Sequence, residues 1–260
     1  MEEPKHLRKT KPIRPAIFNS EPVDIIIPFH GAYRHTSKLI ETILFVTRSN
    51  PYQICLVDDC SPNEKYIEQL KKAPQTVVYR TPNHLGFAGA LQFGFERTEQ
   101  PWVIFMHSDC VVSDAGWMIE LGRSLLHWHH QGIPVRMVSA RSNNPGGGPK
   151  ELRTVSKSHT KDVVVEEGHL PLYCAMCHRT LFQQIGGFIK NYPLAFYEDE
   201  ELAYRMKKHG FKQGICGKSW VQHEGGKTIE YVCKRNPKAK EIMEGNRERC
   251  VLDMSIVKNS

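Results

Sequence analysis

Apolar residues along the chain fall into short continuous runs that alternate with segments patterned at helical spacing. Residues 23–29 (Val-Asp-Ile-Ile-Ile-Pro-Phe) form an apolar run closing on Pro28, which predicts a buried strand that ends where the backbone loses a sheet donor. Leu39, Ile40, Ile43, Leu44 and Val46 then recur at the spacing of one helix face, and residues 54–57 predict a second strand stopped by Asp58-Asp59. Ser61-Pro62-Asn63-Glu64 predicts a helix start with serine as cap, proline in the first turn and glutamate three positions on; Ile67 and Leu70 continue its apolar face. A third strand at 77–79, a helix over 87–97 and a fourth strand at 102–106 follow, the last running into His107-Ser108-Asp109.

This alternation predicts an α/β fold, a mostly parallel central sheet with helices on both faces, whose ligands bind beyond the carboxyl ends of the strands. Polar or acidic residues stand at three of those ends: His30, Asp58 with Asp59, and Asp109. Further on, the pattern predicts a helix over 115–131 and a strand at 135–140. Residues 141–162, rich in Asn, Gly, Pro, Ser and Lys, predict a long mobile loop, either a linker or a lid over a ligand. A strand at 170–174, a helix at 180–185, the Gly186-Gly187-Phe188 turn and a helix over 199–209 complete the series, with no internal repeat. The expected organisation is a basic tail at 1–20, one catalytic-sized domain at 21–228 and an extension at 229–260.

Composition changes this picture little. A chain of 260 residues with 40% apolar content buries one substantial core. No run of eighteen apolar residues is present and the first residues lack the apolar centre of a signal peptide, so a soluble, cytoplasmic protein is expected. The eight cysteines lack the spacing of a disulfide scaffold, and reduced thiols are the expectation. Cys174 and Cys177 have zinc-knuckle spacing, but a structural zinc needs two more ligands from Cys216, Cys233 or a histidine. The net charge of +7 favours an anionic partner: a nucleotide, a phosphorylated acceptor, a membrane surface or nucleic acid. Lys5, Arg8, Lys9, Lys11 and Arg14 place part of that charge in an arm that reads as a solvated tail.

Four segments carry candidate chemistry. Asp58 and Asp59 can accept hydrogen bonds from a nucleobase or ribose, or cap the next helix. Asp109 can hold a divalent cation with diphosphate oxygens completing the shell, or serve as a turn residue. Glu198-Asp199-Glu200-Glu201 puts four carboxylates at a helix start, more than capping requires, and such crowding raises the proton affinity of at least one, as suits a general base. Asn83-His84-Leu85-Gly86-Phe87-Ala88-Gly89-Ala90 is a glycine-bearing turn entering a helix, where a phosphate can approach, although it matches neither a P-loop nor a dinucleotide fingerprint.

Taken in order, these motifs resemble glycosyltransferase family 2. The resemblance rests on the Pro28 strand, Val57-Asp58-Asp59-Cys60-Ser61, Asn83-x-x-Gly86-x-x-Gly89-Ala90 and the strand ending at Asp109. It continues through Gly186-Gly187-Phe188, Glu198-Asp199-x-Glu201-Leu202-x-x-Arg205 and His223, and covers about residues 23–226. It implies a GT-A fold and an inverting, metal-dependent transfer from a nucleotide diphosphate donor, a UDP-sugar, with Mn²⁺ or Mg²⁺. By position, Asp59 with Asp58 would contact the nucleobase, and Pro28 and His30 would line its pocket. Asn83, Gly86 and Ser108 would fall on the donor side, Asp109 and His223 would hold metal or diphosphate, and Asp199 would be the base. Glu198 and Arg205 would organise the site.

The family's metal motif is Asp-x-Asp, whereas here His107 takes the first place, as a third metal ligand or a plain hydrogen-bonding residue. The lost carboxylate motivates one alternative, a catalytically silent nucleotide-sugar-binding module. For the acceptor, the resemblance implies a glycan, a lipid-linked sugar or a protein. The basic balance admits a hydroxymethylated DNA base, as some viral transferases use, though no nucleic-acid-binding motif is present.

Overall fold

A computed structural model describes residues 21–48, 50–154, 160–189 and 192–259, so the basic arm and residues 155–159 lie outside the described residues. The strands are β1 (Val23–Phe29), β2 (Tyr52–Asp58), β3 (Thr76–Arg80), β4 (Trp102–Met106), β5 (Cys110–Val111), β6 (Val135–Arg141), β7 (Val163–Val165), β8 (Cys174–His178), β9 (Lys212–Trp220) and β10 (Gln222–His223). The helices are α1 (Tyr33–Val46), α2 (Glu64–Leu70), α3 (Gly86–Phe95), α4 (Trp117–His130), α5 (Thr180–Ile185), α6 (Glu198–Lys208), α7 (Lys227–Cys233) and α8 (Ala239–Asn259).

One sheet runs β3-β2-β1-β4-β8-β6-β9-β7, and β10 pairs with β5 beside it. The β4–β8, β8–β6 and β9–β7 pairs are antiparallel and the others parallel, so β8 and β7 run against an otherwise common direction. Period-two alternation divides the strand residues between two cores. Ile25, Ile27, Leu56 and Ile104 pack with Leu39, Ile43, Trp117 and Leu121 of α1 and α4. Ile26, Val57, Val103 and Phe105 pack with Leu91, Phe182 and Leu202 of α3, α5 and α6. Burying each such side chain contributes about 1.5–3 kcal/mol relative to leaving it exposed. Gly94 lets α3 close on the sheet, since a Cβ there would lie 2.7 Å from methyls of both Ile26 and Val57.

Pro28 has the consequence expected of a residue without an amide hydrogen. β1 pairs with β2 through Phe29↔Asp58, but with β4 only to Ile26↔Phe105. The carboxyl ends of β1 and β4 therefore separate where the strand order reverses, the place such sheets bind ligands.

Local expectations change at four places. Helix α2 is capped by Asn63, whose side chain accepts from the Lys65 amide at 3.2 Å, because the Ser61 hydroxyl is already engaged by the Gly31 amide at 2.9 Å. The strand expected at 170–174 begins instead at Cys174, after a buried approach segment. Cys174 and Cys177, three apart on β8, fall in opposite cores and cannot share a zinc; burial pushes both thiols up, and all eight cysteines are free. Residues 142–154 of the expected loop are tied down: the Ser142 amide donates to Leu152 O and the Thr154 amide to Ser142 O, both at 2.9 Å.

Candidate active site

A cavity of about 390 Å³ opens at the separated ends of β1 and β4. Pro28, His30, Asp59, His107, Ser108, Asp109, Glu198, Asp199 and His223 all line it; Asp58, Asn83, Gly86 and Arg205 do not. The fold also brings in groups that sequence reasoning missed. His84 stands inside the Asn83–Ala90 turn and Lys227 directly after Gly225-Gly226, whereas Asn144, Phe196 and His169, the last beside Asp199, have no pattern of their own.

The β5–β10 pair sets Cys110 opposite His223, which draws Asp109 and His223 together. His223 Nε2 lies 3.2 Å from Asp109 Oδ1 and 3.2 Å from His107 Nδ1. His223 Nδ1 sits 2.6 Å from the Asn144 carbonyl, a partner that can only accept, so Nδ1 carries a hydrogen and Nε2 is the ring atom turned to the cluster. Nε2 faces a carboxylate oxygen, and either a proton, which makes it a donor to Asp109, or a cation, which makes it a ligand, must stand between them. One ligand atom from each of His107, Asp109 and His223 lies within 4.8 Å of the others, a donor set that fits a divalent cation.

Electrostatics agree with this fit. Burial pushes the Asp109 carboxyl upward, but the His223 hydrogen bond, the neighbouring imidazoles and the Lys227 amide at 3.0 Å outweigh it and hold the group well below the usual range. Burial, followed by the charge of His223, lowers His107 to about 3, which keeps its ring neutral and able to ligate.

On the nucleobase side, three hydrogen bonds and one close imidazole hold the Asp59 carboxylate. Thr81 Oγ1 donates at 2.9 Å and the Leu85 amide at 2.8 Å to Oδ1, while the Gly86 amide at 2.9 Å and His84 Nε2 at 3.2 Å face Oδ2. Asp59 thus anchors the turn entering α3 and orients His84, whose ring stacks on His30 with centroids 4.3 Å apart. Gly86 is in the left-handed region at φ 77°, and a Cβ there would lie 2.6 Å from the Leu194 amide nitrogen. The glycine serves this backbone approach. Asp58 turns away from the cavity, accepting from the Ser61 amide at 3.0 Å and the Arg80 guanidinium at 2.5 Å.

Across the cavity, α6 presents Glu198 and Asp199. Asp199 Oδ1 accepts from the Glu200 amide at 3.0 Å, and Oδ2 lies 3.7 Å from His169 Nε2. Burial raises Asp199, with His169 opposing. Burial and then the charge of Asp199 push Glu198 up to about 8, and its buried Oε2 has no hydrogen-bond partner among the described residues. Arg205 holds α6 in place: it pairs with Glu201 and donates to the carbonyls of Ile185 at 2.6 Å and Gly187 at 2.8 Å.

The profile of the family described as glycosyl transferase family 2 matches residues 24–186. An uncharacterized glycosyltransferase of Haemophilus influenzae is 29% identical over 87 residues, 34% of this chain and 29% of that protein. The O-antigen chain rhamnosyltransferase WbaN of Salmonella anatum is 23% identical over 194 residues, 69% of this chain and 59% of that protein. The chain therefore spans well under two thirds of the length of either. Among solved structures, GalNAc-T7 with UDP, GalNAc and Mn²⁺ is similar at TM-score 0.60 and 17% identity, covering 78% of this chain and 44% of that one. The mannosyltransferase PcManGT of Pyrobaculum calidifontis with GDP-Man and Mn²⁺ is similar at TM-score 0.60 and 13% identity, covering 88% and 65%. S. aureus TarS 1-349 with UDP-GlcNAc is similar at TM-score 0.59 and 13% identity, covering 80% and 60%. The likeness is one of fold, the GT-A architecture.

Proposed function

The chain belongs to glycosyl transferase family 2, and we propose that it moves a sugar from a nucleotide diphosphate donor, a UDP-sugar, to an acceptor hydroxyl with inversion. One observation carries this reading: the ionised Asp109 with its two imidazoles and the Asp199 carboxyl line a single cavity. In it, Asp109, His223 and His107 would hold Mn²⁺ or Mg²⁺, which when bound would supply positive charge against the negative charge of the departing diphosphate. Asp199 accepts the proton of the acceptor hydroxyl as its oxygen bonds to the anomeric carbon and the bond to diphosphate breaks on the opposite side.

The stacked rings of His30 and His84, with Pro28, form the nucleobase wall. Asp59, held by the turn entering α3, acts on the nucleotide through these rings. Neighbours solved with nucleotide sugars and Mn²⁺ support the donor class. Melting curves in UDP-, GDP-, dTDP- and ADP-sugars, with and without Mn²⁺, test it. A stabilisation by at least one donor that needs the cation is expected. The absence of any donor-dependent shift would remove the basis for the reading.

A further inference from the structure

The loop from Tyr192 to Tyr197, just before Glu198 and Asp199, is held in an unusual shape by an element outside the matched family region. Leu194, Phe196 and Tyr197 have φ of 69°, 79° and 73°, the left-handed region that side chains with a Cβ disfavour. The surroundings over-determine this conformation. The Leu194 carbonyl accepts the Phe87 amide at 2.7 Å. Asn246 of α8 is 0% exposed, and its Nδ2 donates to the carbonyls of Pro193 at 3.0 Å and Ala195 at 2.8 Å. Tyr192 donates to Asp253 of the same helix at 2.9 Å.

The loop presents Phe196 at the cavity, where the ring remains 48% exposed three residues before Asp199. A large apolar face left in water beside carboxylates suits a ligand with one apolar face and hydroxyls around its edge. A pyranose has that form: ring C–H groups against the aromatic face, hydroxyls donating to Asp199 and Glu198. The Asp199 carboxylate repels a phosphate backbone, which argues against a nucleic-acid acceptor at this lip.

We propose that Phe196 is the acceptor platform, that the acceptor presents a neutral saccharide ring, and that Asn246 is a positioning residue that keeps the platform in place. This rests on the transferase reading above, which supplies the donor to the same cavity.

The test is saturation-transfer NMR on the full chain with Mn²⁺ and UDP, using a panel of methyl pyranosides and, separately, an oligonucleotide carrying 5-hydroxymethylcytosine. Saturation of ring C–H protons is expected for at least one glycoside. Its affinity should fall about tenfold in Phe196→Ala and stay within about threefold in Phe196→Trp, which keeps the aromatic face. Asn246→Ala should lose glycoside binding in the same way while its melting curve in UDP and Mn²⁺ still shifts as in the wild type, a separation that general destabilisation would not give. Equal glycoside affinity in wild type and Phe196→Ala, or binding of the oligonucleotide but of no glycoside, would overturn the proposal. Loss of nucleotide and Mn²⁺ binding by the wild type would instead count against the transferase reading.

Discussion

His223 Nε2 lies 3.2 Å from Asp109 Oδ1, although β10 and β5, which bring them together, are only two residues long each. On the transferase reading proposed above, the pair takes the place of a second carboxylate in an Asp-x-Asp motif, and with His107 it gives a candidate site of two imidazoles and one carboxylate. Imidazole suits transition metals, whereas Mg²⁺ prefers an all-oxygen shell. Isothermal titration of metal alone should therefore show Mn²⁺ binding about tenfold or more tighter than Mg²⁺. His107→Asp should narrow that gap and Asp109→Ala should abolish both. Equal affinities in the wild type would argue against His107 and His223 as joint ligands.

Asp199→Asn removes the proposed proton acceptor while keeping the shape of the side chain. The turnover number should fall by about 10²–10⁴, with the nucleotide dissociation constant unchanged. Because burial raises the Asp199 carboxyl, the acid limb of the wild-type rate profile should lie above the ordinary aspartate range, the rate rising with pH as the proton leaves. A rate independent of pH through that region would assign the base elsewhere.

Glu198 makes a prediction about stability. Its folded-state pKa is raised to about 8 from 4.5, so the neutral carboxyl favours the folded chain. That contribution is complete below the unfolded value and is lost as pH rises through about 8. Glu198→Gln mimics the neutral form at every pH. Its melting temperature should match the wild type near pH 5 and exceed it increasingly towards pH 8.5, as the gap in stability grows to the order of a few kcal/mol. Parallel melting profiles would show that Glu198 is ionised in the fold.

Arg205 should act on stability before activity. Its guanidinium satisfies Glu201, which is 1% exposed, and two carbonyls of the turn after α5. Arg205→Ala leaves a buried carboxylate unpaired and should cost about 3–5 kcal/mol in denaturant unfolding. A loss below about 1 kcal/mol would mean that the pair is solvated.

The part of the fold legible in the sequence is the part with regular periodicity. The apolar runs of β1, β2 and β4 and the acids at their ends could be placed without tertiary information. β9 could not, because Lys212-Gln-Gly-Ile-Cys-Gly-Lys-Ser-Trp220 has no alternation. Gly214 is there because a Cβ would lie 2.5 Å from the Trp128 ring, and Gly217 because one would lie 2.1 Å from the Thr160 carbonyl oxygen. These are long-range reasons that no local window contains. The same holds within the site: Asp109 was visible as a strand-end acid, but Asn144, which fixes the His223 tautomer, lay in a segment read as loop. The hydrogen bonds to Asp59 depend on a turn that closes only in the folded chain.

The most direct measurement of the central claim is release of nucleoside diphosphate from the donor that stabilises the protein, followed with Mn²⁺ present and after chelation. Slow release that stops on chelation, returns with added Mn²⁺ and is absent in Asp109→Ala is the predicted result. Release undiminished in excess chelator and retained in Asp109→Ala would contradict the account.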